Sequence, residues 1–278
     1  MQLQVLYHKV LSQVEAFYKL IQSKPKARRK PKVSDRQIIA LFILSYLTRS
    51  PVLTIARLLI DPSINSYHVF RKARQRRVYS YLRQFMLWKI QTVLALKLLS
   101  GRRLRLIVDG TILPVANTNR ARTQKIRRFS GRVFWTKRKR NLYSVHYGKR
   151  VQFEELYYGV LVMVLCDEDG VVYDLWFAYG SMHEAKAYRV RKARSAWFRC
   201  LVESAEVYGD RGYNGVEGVE VCKSKEDKSM RQVVEGVISC VKSFNPISRW
   251  RKGITLLAYL YRYAIAYSFF RGQLRCYG

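Results

Sequence analysis

The sequence predicts an α/β protein, with an all-helical region over residues 1–100 and a mixed-sheet core over residues 101–278. Three observations predict it. The first hundred residues place apolar side chains at helical spacing; the chain from Leu104 onward turns to runs rich in Val, Ile and Tyr, bounded by Asp and Gly; and beyond residue 180 short strands alternate with amphipathic helices.

The helical region opens with an amphipathic stretch from Leu3 to Ile21, which breaks at the basic linker from Lys24 to Lys32. Ser34 followed by Gln37 reads as a capping box for the helix DRQIIALFILSYL. Pro51 then starts a short helix, VLTIARLLI. Helix, tight turn and helix predict a helix-turn-helix, a pattern that a generic helical bundle also produces. The next segment carries five Lys/Arg between Arg71 and Arg77 and becomes apolar after Tyr79.

The predicted strands are RLIVDG, NLYSVHY, YGVLVMVLCD and VVYDLWFAYG, the last two joined by the turn DEDG. A helix is expected from about His183 to Ser204, then strands at AEVYGD and VEVCKS, then helices from about Lys228 to Ser243 and from Gly253 to Phe270.

Charge narrows the choice of partner. The chain has 52 Lys+Arg against 19 Asp+Glu, a formal charge of +33, and both regions share the excess, with 19 Lys/Arg against 3 acids in residues 1–100 and 33 against 16 thereafter. Self-repulsion on that scale calls for a polyanion, and a nucleic acid supplies one. No apolar run reaches the ~18–20 residues that span a bilayer, and MQLQVLYHKV lacks the apolar core of a signal peptide. A cytoplasmic, nucleoid-associated protein without a membrane partner is expected. Five scattered cysteines with no C-x-x-C and no nearby His pair support neither a zinc site nor a disulfide framework; buried reduced thiols are expected.

The candidate chemistry lies in carboxylates. Asp109 ends the first strand at Gly110, and Asp210 ends a later strand in VYGDRGY. Strand ends are where open α/β sheets place ligand sites. In the helix SMRQVVEGVISCVKSF, Val233, Val234, Val237, Ile238 and Val241 form an apolar face, and residues 231, 235 and 242 share one face. Converging carboxylates in a basic protein suit a pair of Mg²⁺ ions about 3.5–4 Å apart, the device that activates a nucleophile and stabilises the leaving oxygen in phosphodiester displacement.

With these residues in place, the chain resembles the DDE transposases of bacterial and archaeal insertion sequences, the group with the Y-x2-R-x3-E-x6-K signature. Arg231, Glu235 and Lys242 reproduce the R-E-K part without a gap, VDGT surrounds Asp109, GDRGY surrounds Asp210, and RKGITLLAYLYRYAIAYSF looks like the family's closing helices. The match covers roughly residues 101–270. The signature tyrosine falls at position 228, where this chain has Lys228. The resemblance implies an RNase H-like core with Asp109, Asp210 and Glu235 as the metal-binding catalytic triad, Mg²⁺ or Mn²⁺ as cofactor, and Arg231 and Lys242 on the phosphates of transposon ends. It also implies double-stranded DNA as partner, both transposon ends and target, and a homodimer in the DNA complex. The separation of 25 residues between Asp210 and Glu235 leaves no room for a large inserted domain.

Two further features are expectations of position. Between Gly110 and Phe153 there is no acid, but twelve Lys/Arg interleave with Phe129, Phe134, Trp135 and Tyr143, a composition that suits phosphate contact and base stacking. His183 and Glu184 follow a strand end at AYGSMHEAK, where the two readings are a place near the metals and a helix cap, and the cap is expected. Two other function classes stay open on the sequence: a DNA-binding regulator without catalysis, and another nuclease on the same core such as a junction resolvase. The His68-x-x-Arg71 box of a tyrosine recombinase has no partner arginine box ahead of it and sits before any strand.

Overall fold

The computed structural model describes residues 2–21, 32–73, 76–116, 134–144, 149–178, 182–243 and 260–270. The chain divides into two compact units, Met1–Arg102 together with Ile254–Gly278, and Arg103–Gly253.

The first unit is helical: α1 (Gln2–Leu20), α2 (Asp35–Leu47), α3 (Val52–Leu59), α4 (Ser66–Ala73), α5 (Arg76–Leu99) and α9 (260–270). The capping box that opens α2 is formed, with the Gln37 amide donating to Ser34 Oγ at 3.2 Å and the Ser34 amide to Gln37 Oε1 at 2.8 Å. That exchange satisfies two helix-end donors at once. Ile38 to Leu44 are all buried, so α2 is the centre of the unit, and the chain turns through 118° between α2 and α3. Arg49, in that turn, has a positive φ of 54°. Phe17 of α1 meets Phe85 and Trp88 of α5, with ring centroids at 5.6 and 6.0 Å.

The sequence reading extends the sheet domain to residue 278. In the structure the residues after 253 group instead with the N-terminal helices. Aromatic packing explains it: Tyr263 meets Tyr46 of α2 at 4.8 Å, Tyr261 meets Tyr79 of α5 at 5.6 Å, and Lys89 of α5 lies over the rings of Phe269 and Phe270. The basic linker from Lys24 falls almost wholly outside the described residues.

The second unit is mixed α/β. It contains β1 (Arg105–Ala116), β2 (Phe134–Ser144), β3 (Lys149–Asp167), β4 (Val172–Ala178), α6 (Glu184–Arg194), α7 (Ala196–Glu203), β5 (Glu206–Gly209), β6 (Glu220–Val221) and α8 (Lys225–Ser243). The six strands form one sheet in the order β2-β3-β1-β5-β6, with β4 also paired to β3. β1, β3 and β4 pair antiparallel, whereas β5 and β6 run parallel to β1. Val160 to Cys166 of β3 are buried without alternation, the mark of a strand covered on both faces. α6 and α8 pack against β3, α8 against β1 and α7 against β5.

Where the sequence reading has one helix from His183 to Ser204, the structure has two. Ser195 is extended (φ −127°, ψ 106°), and its side chain accepts a hydrogen bond from the Phe198 amide at 3.2 Å. A serine able to cap a new helix competes with continuing the old one. Bidentate pairing of Arg191 with the buried Asp174, at 2.8 and 3.1 Å, ties α6 to β4. Of the cysteines described, Cys166 is buried as expected, but Cys200 is exposed on α7. Among the described residues, no single helix is long and apolar enough to cross a membrane.

Candidate active site

The parallel pairing of β1 with β5 sets the site. Its register runs Arg105 with Glu206, Leu106 with Val207 and Ile107 with Tyr208. Continued by two residues, it brings Asp109 beside Asp210 where the shorter strand ends; Asp109 itself, expected at the end of its strand, lies within β1, which stays paired to β3 as far as Ala116. Same-register residues of neighbouring strands project to the same face. Both carboxylates are further fixed by the glycine amides that follow them. Asp109 Oδ1 accepts from the Gly110 amide at 2.7 Å, and Asp210 Oδ1 accepts from the Gly212 amide at 2.8 Å, capping the 3-10 turn Arg211–Tyr213.

Burial drives the Asp109 carboxyl up from the ordinary 3.8 to about 6; the Gly110 amide opposes this, and the negative charges of Asp210 and Glu235 add to it. Arg231 acts in the opposite direction on the same carboxyl. Glu235 and Arg231 therefore lie within electrostatic reach of Asp109, which agrees with α8 packing on β1. Their own side chains are about half exposed and paired, Arg231 Nε to Glu235 Oε1 at 3.1 Å. The adjoining face of α8 is buried through Met230, Val234, Val237, Ile238 and Val241.

A fourth carboxylate, which sequence reasoning assigned to helix capping, also lies here. His183 is the cap, its Nδ1 accepting from the Ala185 amide at 3.3 Å, while Glu184 turns toward β1. A methyl group on Gly110 would stand 2.8 Å from the Glu184 carboxyl carbon and 2.9 Å from its Cγ. Only a residue without a side chain leaves that space. Burial, and then the charges of Asp109 and Asp210, raise the Glu184 carboxyl to about 7, with the Gly110 amide and Lys242 opposing. The available signal was the pairing of an acid at a helix start with a glycine following a strand-end acid. That signal carries no information until the two are known to approach.

The predicted residues thus form two groups. Asp109 and Asp210 adjoin on the sheet, and Arg231, Glu235 and Lys242 act on them or on Glu184 from one helix. Tyr213, fully buried, lies under the cluster, with its ring against Gly209 and its hydroxyl in the field of Glu184, Asp109 and Asp210. Beside Asp210 is a pocket of about 490 Å³ lined by Arg211, Asn214, Val221, Cys222 and Lys223. Of the basic and aromatic stretch 110–153, residues 117–133 and 145–148 lie outside the described residues. Among the described residues, no three His, Cys, Asp or Glu side chains stand close enough together to hold one metal ion. Chemically, the cluster is an all-oxygen donor set in which burial first, and neighbouring charge second, make Asp109 and Glu184 harder to ionise, with cationic side chains at its rim.

The chain matches no protein-family model, no curated protein and no solved structure.

Proposed function

We propose that this chain is a metal-dependent DNA-cleaving and strand-transfer enzyme, a DDE transposase built on an RNase H-like core. The observation that carries this reading is the parallel register of β1 and β5, which, continued past the end of β5, sets Asp109 within β1 beside Asp210, with Glu235 acting on Asp109 from α8. The antiparallel β4, β3 and β1 followed by the parallel β5 and β6, with helices over the sheet, is the arrangement expected of an RNase H-like core.

The donor set fits a divalent cation. Hard carboxylate oxygens suit Mg²⁺ or Mn²⁺, and Asp109 and Glu184 are carboxyls raised first by burial and then by neighbouring negative charge, which a cation would offset. Asp109, Asp210 and Glu235 would hold it, drawn closer together than they stand without it. Bound there, such a cation activates a water or 3′-hydroxyl and stabilises the leaving oxygen of a phosphodiester. Gly110 and Gly212 orient the two aspartates through their amides. Arg231 and Lys242, and the Arg211 and Lys223 of the pocket beside Asp210, supply positive charge for the DNA backbone on either side of the scissile bond. The helical unit, with α2 and α3 meeting at 118°, has the angle of a helix-turn-helix and would engage the transposon ends.

The test is a strand-transfer reaction with the purified chain, Mg²⁺, a duplex carrying the inverted repeats that flank its reading frame, and a supercoiled target plasmid. Joined products with 3′ ends of the repeat linked to target support the reading. Cleavage of a four-way junction with the repeats untouched would make the chain a resolvase, and binding without cleavage of either would make it a regulator.

A further inference from the structure

Glu184 enters the cluster from an element that supplies neither of the two aspartates nor the α8 residues. α6 starts at Glu184, and the bidentate Asp174–Arg191 pair two turns along anchors that helix to the sheet. The Glu184 side chain is then directed into the gap over Gly110, the residue whose amide also binds Asp109. A glutamate held this way does not serve its own helix: the capping function belongs to His183. Nor is it an exposed first-turn acid, because burial is the largest influence on its carboxyl.

A second, independent feature points into the same place. Tyr213 is fully buried and its hydroxyl has no hydrogen-bond partner among the described residues. Burying a hydroxyl without a partner is costly, and such groups ordinarily find one. The charges that bear on this hydroxyl are Glu184 first, then Asp109 and Asp210, so its unmet donor sits among carboxylates. Its ring is held by Gly209 on one side and meets Tyr188 of α6 edge-on, with centroids 6.2 Å apart, which fixes the hydroxyl relative to the helix that carries Glu184.

We infer that Glu184 is a fourth carboxylate of the cation site, and that the buried Tyr213 hydroxyl is a positioning group that donates to Glu184 when a cation draws the carboxylates together. The inference rests on the metal-dependent reading above. A carboxylate that contacts a divalent ion is commonly oriented by a hydrogen bond from behind, and loss of that bond weakens metal affinity by about 10–100-fold. Glu184 lies over Gly110 in space that only a residue without a side chain leaves, and Tyr213 is fully buried.

The experiment is Mn²⁺ binding to the full chain without DNA, followed by electron paramagnetic resonance of free Mn²⁺ at pH 7.5 and paired with thermal melting of each variant. Glu184→Gln should weaken Mn²⁺ binding about tenfold or more while melting at or above the parent temperature, since it removes a like charge from the cluster. Glu184→Asp, which keeps the charge but withdraws the carboxylate by one methylene, should also weaken binding. Tyr213→Phe should weaken it about three- to tenfold, but should have no further effect in the Glu184→Gln background. That non-additivity is the signature of positioning, because a purely structural tyrosine would lower affinity equally in both backgrounds. Glu203→Gln, on the exposed Lys192 pair, should bind as the parent does.

Parent affinity in both Glu184 variants, with binding lost in Asp109→Asn, would overturn the role of Glu184 and leave the metal reading standing. Parent affinity in Asp109→Asn and Asp210→Asn would overturn the metal reading itself. An additive effect of Tyr213→Phe in the Glu184→Gln background would overturn the positioning role.

Discussion

Arg231 and Glu235 pair across one turn of α8, Nε to Oε1 at 3.1 Å, and the same two side chains push the Asp109 carboxyl in opposite directions. One helix face therefore carries both a cation able to meet phosphate and a carboxylate able to meet metal. The pair separates binding from cleavage. Glu235→Gln should abolish Mg²⁺-dependent nicking while leaving the gel shift of an inverted-repeat duplex unchanged. Arg231→Ala and Lys242→Ala should weaken the shift and lower its salt dependence, with nicking partly restored at high protein concentration. Because the pair is about half exposed, neither change should alter stability by more than about 0.5 kcal/mol, which a urea titration would register.

Asp109 gives a pH dependence. Its carboxyl is raised from 3.8 to about 6, so the folded chain holds that proton more tightly than the unfolded chain does. Folding is then favoured below about pH 4, and the advantage is lost as pH rises through 6. Asp109→Asn removes the ionisation while retaining a side-chain oxygen for the Gly110 amide. In metal-free buffer the variant should match the parent near pH 4 and exceed it above pH 7, by on the order of 2 kcal/mol. Mg²⁺ should stabilise the parent more than the variant. Denaturant unfolding at pH 4 and pH 7.5 measures both; a variant less stable than the parent at pH 7.5 without metal would contradict the crowding of carboxylates.

The ion pair that anchors α6 is a matter of stability. Asp174 is 5% exposed and depends on Arg191 for its countercharge. Arg191→Met should leave that carboxylate uncompensated and cost about 3–5 kcal/mol, whereas Arg103→Met, on an exposed pair with Glu206, should cost under about 1 kcal/mol. Chemical denaturation of the two variants under one buffer makes the comparison.

Binding to DNA should fall steeply with salt. Each phosphate neutralised contributes about 0.9 to the slope of log K against log salt. A chain with a charge of +33 that used it on DNA would lose at least about a hundredfold in affinity between 50 and 200 mM salt. A flat titration would show the charge directed elsewhere.

Part of this arrangement was readable from residues alone. The apolar strand leading to Asp109 and the short strand before Asp210 were read from the sequence, although β1 runs on past Asp109 to Ala116; the capping box at Ser34 and Gln37 formed where it was read. Single-face spacing on α8 put Arg231, Glu235 and Lys242 together for geometric reasons that hold in any helix. Longer-range relations were not readable. The approach of Glu184 to Gly110 depends on how α6 is pinned to β4, and the break at Ser195 depends on a cap outcompeting one more helical turn. The return of 260–270 to the N-terminal helices depends on which aromatic partners lie nearby in space, and periodicity along the chain is blind to that.

The central claim is that Asp109 and Asp210 are held side by side to bind metal for cutting DNA. Single-turnover nicking of an inverted-repeat duplex in Mg²⁺, with protein in excess, tests it most directly for the parent, Asp109→Asn and Asp210→Asn. Both variants should bind the duplex as the parent does and nick about a hundredfold more slowly or not at all, with the parent product ending in a 3′-hydroxyl. Nicking by either variant within about twofold of the parent rate would contradict it.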